Sequence, residues 1–494
     1  MRSNPHVIEI HARRWITELR RKYGIPVTLS TIPDREWLEF KRLGFDAVWL
    51  MGVWQASPAS REIALNSETL NKQIAAVHPD YDKADIAASP QAILDYTLDS
   101  ELGKPEELAW THEKLNSMGL SLILDFVNNH LAIDHPMVKT CPSCFVQAET
   151  EDVQYHPNWF FKNPSAPDSF IAFGRDPNFE PWTDTAQLNL FNPETRKFLI
   201  DTLLGIAKYC DGVRCDMVML TLMDIHDETW GWLTRKKGFS KPSDEFWTEA
   251  INAVRQEHPE FTFLGEVYWG LEWRVQQMGF DYTYDKVLYD RLRLHGPEDV
   301  RGHLRAEKMY QKRSLRFVEN HDEAPAIAAF GREKAFAASL IIATLRGMRL
   351  FDLAQLMGVS IKRPIQYLGH NLPIDPDVYR RYSELLKIAD HPAFHGGEWT
   401  LIEPRAVAAD DSTYKNILTW CWVQRKTYKL VAVNYADTIS KARIPISAKP
   451  HGATYTFYDD TAGLFFTRPA DEVKEQGLFV ELPPYGAHVL DLEL

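Results

Sequence analysis

The chain alternates between short apolar runs that end in polar or acidic residues and longer segments with apolar residues every three or four positions. The runs are VIEI (7–10), FDAVWLM (45–51), SLILDFVNNH (121–130), DGVRCD (211–216), FTFLGEVYW (261–269), FDYTYD (280–285), RFVENHDE (316–323) and GMRLFDLA (347–354). Continuous apolar runs of this length mark strands buried on both faces. Between them, helical periodicity predicts helices up to about Tyr23 and over 34–43, 105–118, 193–208 and 244–257. Gly44 and Gly119 stop two of these, and Pro193 opens another. The stretch after the second run, through Pro79 and Pro90, reads as a polar loop. About eight strand–helix alternations through residue 390 predict an α/β fold, a (β/α)8 TIM barrel with its helices outside.

Two stretches break that rhythm. Residues 131–190 are rich in Pro, Asn and aromatics without a long periodic segment, and read as a short irregular insertion after strand 3. Its length points to function rather than mere connection. After about residue 395 short alternating runs follow one another: LTWCWVQ (418–424), YKLVAVNY (428–435), TYTFYDD (454–460) and HVLDLEL (488–494). They predict a C-terminal antiparallel β-sandwich. The expected division is a barrel over 1–130 and 191–392, an insertion subdomain over 131–190 and the sandwich over 393–494.

Composition changes this picture little. At 494 residues and 45% hydrophobic, the chain can fill a large barrel and a second core. A net charge of −13 argues against nucleic acid or an anionic membrane as partner. The beginning MRSNPHVIEIHARRW has no apolar signal core, and no run approaches a transmembrane length, so a cytoplasmic enzyme is the default expectation. Five Cys, an odd number, do not suggest a disulfide framework, and the lone CPSC at 141–144 is weak evidence for zinc. Cys210 and Cys215 read as small core fillers.

The candidate chemistry lies at the ends of the runs. On a strand Arg214 and Asp216 project to one face, and the guanidinium favours and aims the ionised carboxylate. In isolation this is more often a structural ion pair. In a barrel, however, strand C-terminal ends share one pocket. Asp125, His130, Arg214, Asp216, Glu266, His321 and Asp322 would then converge. Crowded carboxylates push at least one pKa upward, which suits acid-assisted glycoside cleavage. Glu266, between Leu264 and the Val267–Trp269 run, is the expected protonated acid, and Asp216 the ionised nucleophile. A divalent metal held by the same carboxylates is the competing use, and predicts loss of activity with a chelator.

These residues carry a resemblance to the alpha-amylase family, glycoside hydrolase family 13. DFVNNH (125–130) is similar to that family's first signature, DGVRCD (211–216) to the second, FLGEV (263–267) to the third and FVENHD (317–322) to the fourth. LDYTLDSELGKPEEL (94–108) and QLNLFNPETR (187–196) resemble two further family segments, and all occur in family order. The resemblance implies that Asp216 attacks the anomeric carbon and that Glu266 is the acid/base. It implies that Asp322 binds sugar hydroxyls and stabilises the transition state, and that Arg214 fixes Asp216. His130 and His321 would bond the sugar, with Asp125 supporting the pocket. The implied outcome is retention at an α-glucosidic bond of a malto-oligosaccharide or small α-glucoside, with no cofactor.

The chain departs from the family's pattern in three places. Met219 and Leu220 stand where a polar pair is common, which makes the acceptor side less polar. Ser89 and Pro90 replace a Gly-Tyr whose ring stacks on sugar, leaving Tyr96 or Tyr81 as platform and resembling the maltosyltransferase branch. Gln187 replaces an Asp that helps bind calcium in other members, and a neutral amide is a poorer ligand, so no metal is expected. Hydrolysis, transglycosylation and a non-catalytic carbohydrate-binding role all stay open. Trp49 and Trp54 are candidates for substrate contact from their place at the second strand's end. The run Trp159, Phe160, Phe161 either lines the cleft or packs the insertion onto the barrel.

Overall fold

The computed structural model describes all residues but 167, 370–373, 451 and 494. The end of the expected strand 488–494 thus lies outside the described residues. Among them, eight parallel strands close into a barrel. In chain order these are β1 (His6–His11), β2 (Ala47–Met51), β3 (Ser121–Val127), β4 (Gly212–Asp216), β5 (Thr262–Gly265), β6 (Tyr282–Tyr284), β7 (Ser314–Arg316) and β8 (Met348–Asp352). Each pairs in parallel with its sequence neighbour, and β1 closes on β8 with Glu9 opposite Asp352. The strand period of two divides β1: Val7 joins an inner cluster with Trp49, Ile123, Leu264, Tyr284 and Leu350, while Ile8 and Ile10 pack under the helical shell.

The runs overstate the strands at their C-terminal ends. β5 stops at Gly265 and β7 at Arg316, so Glu266 and the whole segment 317–323 stand in loops above the sheet. The polar residues there leave the ladder because their groups find side-chain partners: Asn320 Oδ1 accepts from the N–H of Asp322 (3.0 Å) and of Glu323 (2.9 Å). The helices follow their signals closely. Asp34–Arg42 precedes Gly44 at φ +84°, Glu106–Ser117 precedes Gly119 at φ +73°, and Phe246–Glu257 falls inside the expected segment. Pro193–Ile206 is capped by Asn192, whose side chain accepts from Glu194 N (2.9 Å).

The expected polar loop after β2 instead contains the helices Pro58–Asn66 and Glu68–Val77 and an antiparallel pair, Trp54–Ala56 with Ile93–Leu98. Ser57 and Ser67 cap the two helices, signals masked by polar composition. The insertion holds a three-stranded antiparallel sheet in the order Gln147–Glu149, Ser169–Ala172, Phe160–Lys162. Strands of three or four residues are too short for a readable alternation. Phe160 joins a buried cluster with Trp230 and Leu233 of the helix Met223–Lys236, and Trp159 stacks on His156 and on the Arg175 guanidinium (both 3.7 Å). This run therefore packs the insertion onto the barrel.

Cys141 and Cys144 are joined in a disulfide, contrary to expectation. The tight turn Pro142–Cys144 brings their Cα atoms to 5.4 Å, within bonding range. Among the described residues Glu194 is the other metal-ligating group beside this pair, but the two sulfurs are bonded to each other. Cys210 and Cys215 are buried in the core, where burial pushes their thiols up.

The C-terminal sheet consists of β9 (Glu398–Ile402), β10 (Ile417–Gln424), β11 (Thr427–Asn434), β12 (Ser440–Ile444), β13 (Thr454–Asp459), β14 (Leu464–Pro469), β15 (Leu478–Leu482) and β16 (Ala487–Glu493). Six run antiparallel in the order β9-β10-β11-β16-β13-β14, and β12 pairs with β15 as the second layer of a β-sandwich. Trp420 and Trp422 of β10 both donate through Nε1 to Thr344 O (3.1 and 2.7 Å), at the end of helix Arg332–Thr344, docking the sandwich on the barrel. No helix among the described residues is long and apolar enough to cross a membrane.

Candidate functional site

Arg214 and Asp216 are alternate residues of β4 and share the inward face, as their spacing requires. The Arg214 guanidinium is buried and bonds two carboxylates at once: Nη1 to Asp216 Oδ1 at 2.5 Å and Nη2 to Glu266 Oε2 at 2.6 Å. Its Nε donates to Tyr284 OH (3.3 Å), and its plane lies 5.4 Å from the Trp49 ring. One fork thus holds both carboxyl groups in register. Glu266 also accepts from Met217 N (2.8 Å) and Tyr268 OH (2.7 Å). The Met217 contact uses a left-handed backbone, φ +41°, immediately after Asp216. Such a conformation is costly for a side-chain-bearing residue and persists because the surroundings over-determine it.

Charge separates the members of this group. Burial pushes Glu266 up. Arg214 opposes this, but the neighbouring Asp216 and Asp322 add to it, and the carboxyl reaches about 7. Burial also pushes Asp322 up, yet His321, at 3.1 Å from Nε2 to Oδ2, with Arg214 and Lys362, carries it below the usual carboxylate range. His321 runs the other way. Burial lowers it, and Asp322 and Glu9 overcome that and hold it well above 6.5. Lys362 lies on the rim, with its ammonium bonded to the carbonyls of His321 and of Glu323.

The remaining expected residues surround this group. Asp125 on β3 accepts from Trp49 Nε1 (2.9 Å) and Gly52 N (2.7 Å), and burial raises its pKa. Gly52 has φ +77°, and a Cβ there would lie 2.8 Å from Pro90. His130 is buried 5.1 Å from the Trp182 ring, and burial lowers its pKa. Tyr96 exchanges hydrogen bonds with the backbone of Val127 (2.9 and 3.0 Å) and lies half-buried between Trp54 and Phe126. Tyr81 is committed elsewhere, bonding Asn71 and packing by Tyr367.

Two expectations are corrected by burial. Trp49 and Trp54 are only 2% and 1% exposed, and serve as backing for Asp125 and Arg214 rather than as an open sugar platform. Met219 and Leu220 turn into the core within the turn Val218–Thr221, so they do not form an acceptor surface. Exposed aromatic surface instead follows Glu266: Trp269, at φ +65°, and Trp273 are 43% and 44% exposed. Sequence reasoning also missed Glu9, Tyr268, Tyr284 and Lys362. For Glu9 the signal was present, a lone acid on the inward face of an apolar strand.

A calcium site of the kind expected from an Asp at 187 does not fit these residues. Gln187 Nε2 donates to Asn129 O and Oδ1 (both 2.9 Å), and Asn129 Nδ2 donates back to Gln187 Oε1 (3.2 Å). The two buried amides satisfy each other and offer no carboxylate.

Residues 36–351 match the family model for the alpha amylase catalytic domain. The alpha-amylase MalA of Haloarcula japonica is 25% identical over 276 residues, 54% of this chain and 36% of that protein. The intracellular maltogenic amylase of Bacillus subtilis is 25% identical over 184 residues, 36% of this chain and 26% of that enzyme. The match thus spans little more than a third of the length of these curated relatives, or less. Among solved structures, the maltogenic alpha-amylase AmyB of Thermotoga neapolitana superposes with a TM-score of 0.67 at 17% identity, covering 100% of this chain and 99% of that one. The trehalose-6-phosphate hydrolase of Bacillus licheniformis does so with 0.65 at 14% identity, covering 100% and 99%. At such identities these structures show a shared fold.

Proposed function

We propose, from the premise that this chain belongs to the alpha-amylase family, that it is a retaining glycosidase cleaving α-glucosidic bonds of malto-oligosaccharides or related small α-glucosides. One observation carries the reading: a single buried guanidinium holds Asp216 and Glu266 on its two terminal nitrogens, while Glu266 is pushed up to about 7. A protonated acid beside an anionic nucleophile is the pairing that double displacement needs. Asp216 attacks the anomeric carbon as Glu266 passes its proton to the leaving glycosidic oxygen. The glycosyl-enzyme ester is then opened by water, whose proton returns to Glu266. Asp322, half-exposed and anionic, takes the sugar hydroxyls and the positive charge developing on the ring. His130 bonds the same sugar, while His321, whose two ring nitrogens already meet Glu9 and Asp322, acts on it through Asp322; Asp125 supports the pocket through Trp49 and Gly52, and Tyr96 backs it.

Transfer to a second sugar instead of water is the second reading. It is supported by the exposed rings of Trp269 and Trp273 on the segment after Glu266, which suit an acceptor sugar's apolar face.

The test is product analysis with maltose, malto-oligosaccharides, sucrose, trehalose and maltose 1-phosphate, with and without glycogen. Turnover with α-configured first products is expected, and Asp216→Asn should lower it by roughly 10³-fold or more. A β-configured first product, or an Asp216→Asn variant as active as the parent, overturns the reading. Products longer than the substrate decide for transfer, and shorter ones alone decide for hydrolysis.

A further inference from the structure

Glu9 is a carboxylate inside the barrel wall. It shares the inward face of β1 with Val7 and is 1% exposed. Burying a carboxylate is unfavourable unless it is paired. Glu9 is paired on one side only: Oε1 accepts from His321 Nδ1–H at 2.5 Å, while Oε2 has no hydrogen-bond partner among the described residues. The other ring nitrogen, Nε2, meets Asp322 Oδ2 at 3.1 Å. The imidazole is therefore clamped between a carboxylate sealed in the wall and one at the mouth, where the Asp322 side chain is 47% exposed and that of His321 only 5%. The Trp49 ring meets the imidazole edge-on at 5.5 Å.

We propose that Glu9 is a positioning residue for the reaction: through Nδ1 it fixes the ring and the charge of His321, so that Nε2–H is presented to Asp322 at the cleavage site from a cationic ring. This rests on the roles given above to His321 and Asp322. Without an anion at Nδ1 the second ring proton loses its acceptor, and His321 would meet Asp322 through Nε2–H as a neutral ring rather than as a cation. The clamp holds both protons, and with them the positive charge. Asp322 is then held by a charge-assisted bond, although it stands half in solvent, where a neutral contact would be weak.

Other charged groups surround the clamp. Asp352 of β8 lies opposite Glu9 in the sheet and is pushed up to about 6, by burial first and then by Glu9. Glu319 is raised as well, by burial and then by Asp352. Asp125 faces His321 from β3, Lys362 bonds its carbonyl, and Arg214 acts on Asp322 from β4.

The experiment is a ¹⁵N-histidine NMR titration of the whole protein, with the His321 signals assigned by their loss in His321→Asn, alongside steady-state kinetics of Glu9→Gln. Gln keeps an acceptor at the same place and removes the charge. Both ring nitrogens of His321 should be protonated at pH 7.5 in the unaltered protein. In Glu9→Gln the midpoint should fall by at least about one unit, and kcat by between about tenfold and a hundredfold with KM changed less than about threefold. Glu9→Asp should recover part of kcat. A neutral His321 at pH 7.5 in the unaltered protein overturns the proposal even if Glu9→Gln does not fold, and so does an unchanged midpoint or kcat in a folded Glu9→Gln. Failure of the functional reading looks different: the unaltered protein then turns over no α-glucoside, while the titration still decides whether Glu9 governs His321.

Discussion

Glu266 stands between opposing pulls. The Arg214 fork and the Met217 N–H favour its anion, while burial and two neighbouring carboxylates favour its proton, and the second set wins, to about 7. A general acid must hold its proton, so kcat/KM should fall as pH rises through about 7 and level off below it. A carboxyl raised in the folded state binds its proton more tightly there than in the unfolded chain. Its contribution to stability is therefore full below the ordinary value and is lost as pH rises through about 7. Glu266→Gln should abolish the alkaline limb and lower the rate by roughly 10²- to 10⁴-fold. An alkaline limb that persists in Glu266→Gln would assign it to another group. The chemical identity of these residues was legible at the ends of the apolar runs. The sharing of one guanidinium by Asp216 and Glu266, 50 residues apart in the chain, was not, because it depends on the packing of β4 against β5.

The loop after β2 shows how an element supports the site without touching chemistry. Gly52 turns it at φ +77°, aims its N–H at Asp125, and leaves room for Pro90 that a Cβ would fill. Gly52→Ala should cost about 2 kcal/mol or more from the left-handed backbone together with the clash. It should also lower activity by loosening Asp125, a combination readable from urea unfolding and kinetics on the same protein. A variant as stable as the parent would mean that the loop simply re-forms around the methyl group. Pro90 thus has a packing role against Gly52. Trp49 and Trp54 were open to either fate in the sequence, since an aromatic at a strand end can face solvent or core. Their burial was settled by Asp125, whose carboxylate and backbone carbonyl take both indole N–H groups.

Barrel and sandwich meet through a few buried anchors. Trp420 and Trp422 share the Thr344 carbonyl, Arg301 donates to the carbonyls of Lys415 (2.9 Å) and Ile417 (2.8 Å), and Tyr435 OH donates to Leu292 O (2.7 Å). These contacts tie β10 and β11 to helices of the barrel, so the two should unfold together. Trp422→Ala should cost about 3–5 kcal/mol and split thermal unfolding into two transitions. A single transition at the parent's midpoint would show that the anchor carries no weight. Periodicity, Gly stops, the Pro193 helix start and the apolar runs determined the barrel, the sandwich and the identities of the reacting groups, because these are local signals repeated along the chain. Partnerships between distant segments were decided only by the closed sheet: Arg214 with two carboxylates, Glu9 with His321, Gln187 with Asn129. The reason is physical. Which polar group satisfies which depends on distances across the barrel, and those exist only once eight strands have closed and water has been excluded from between them.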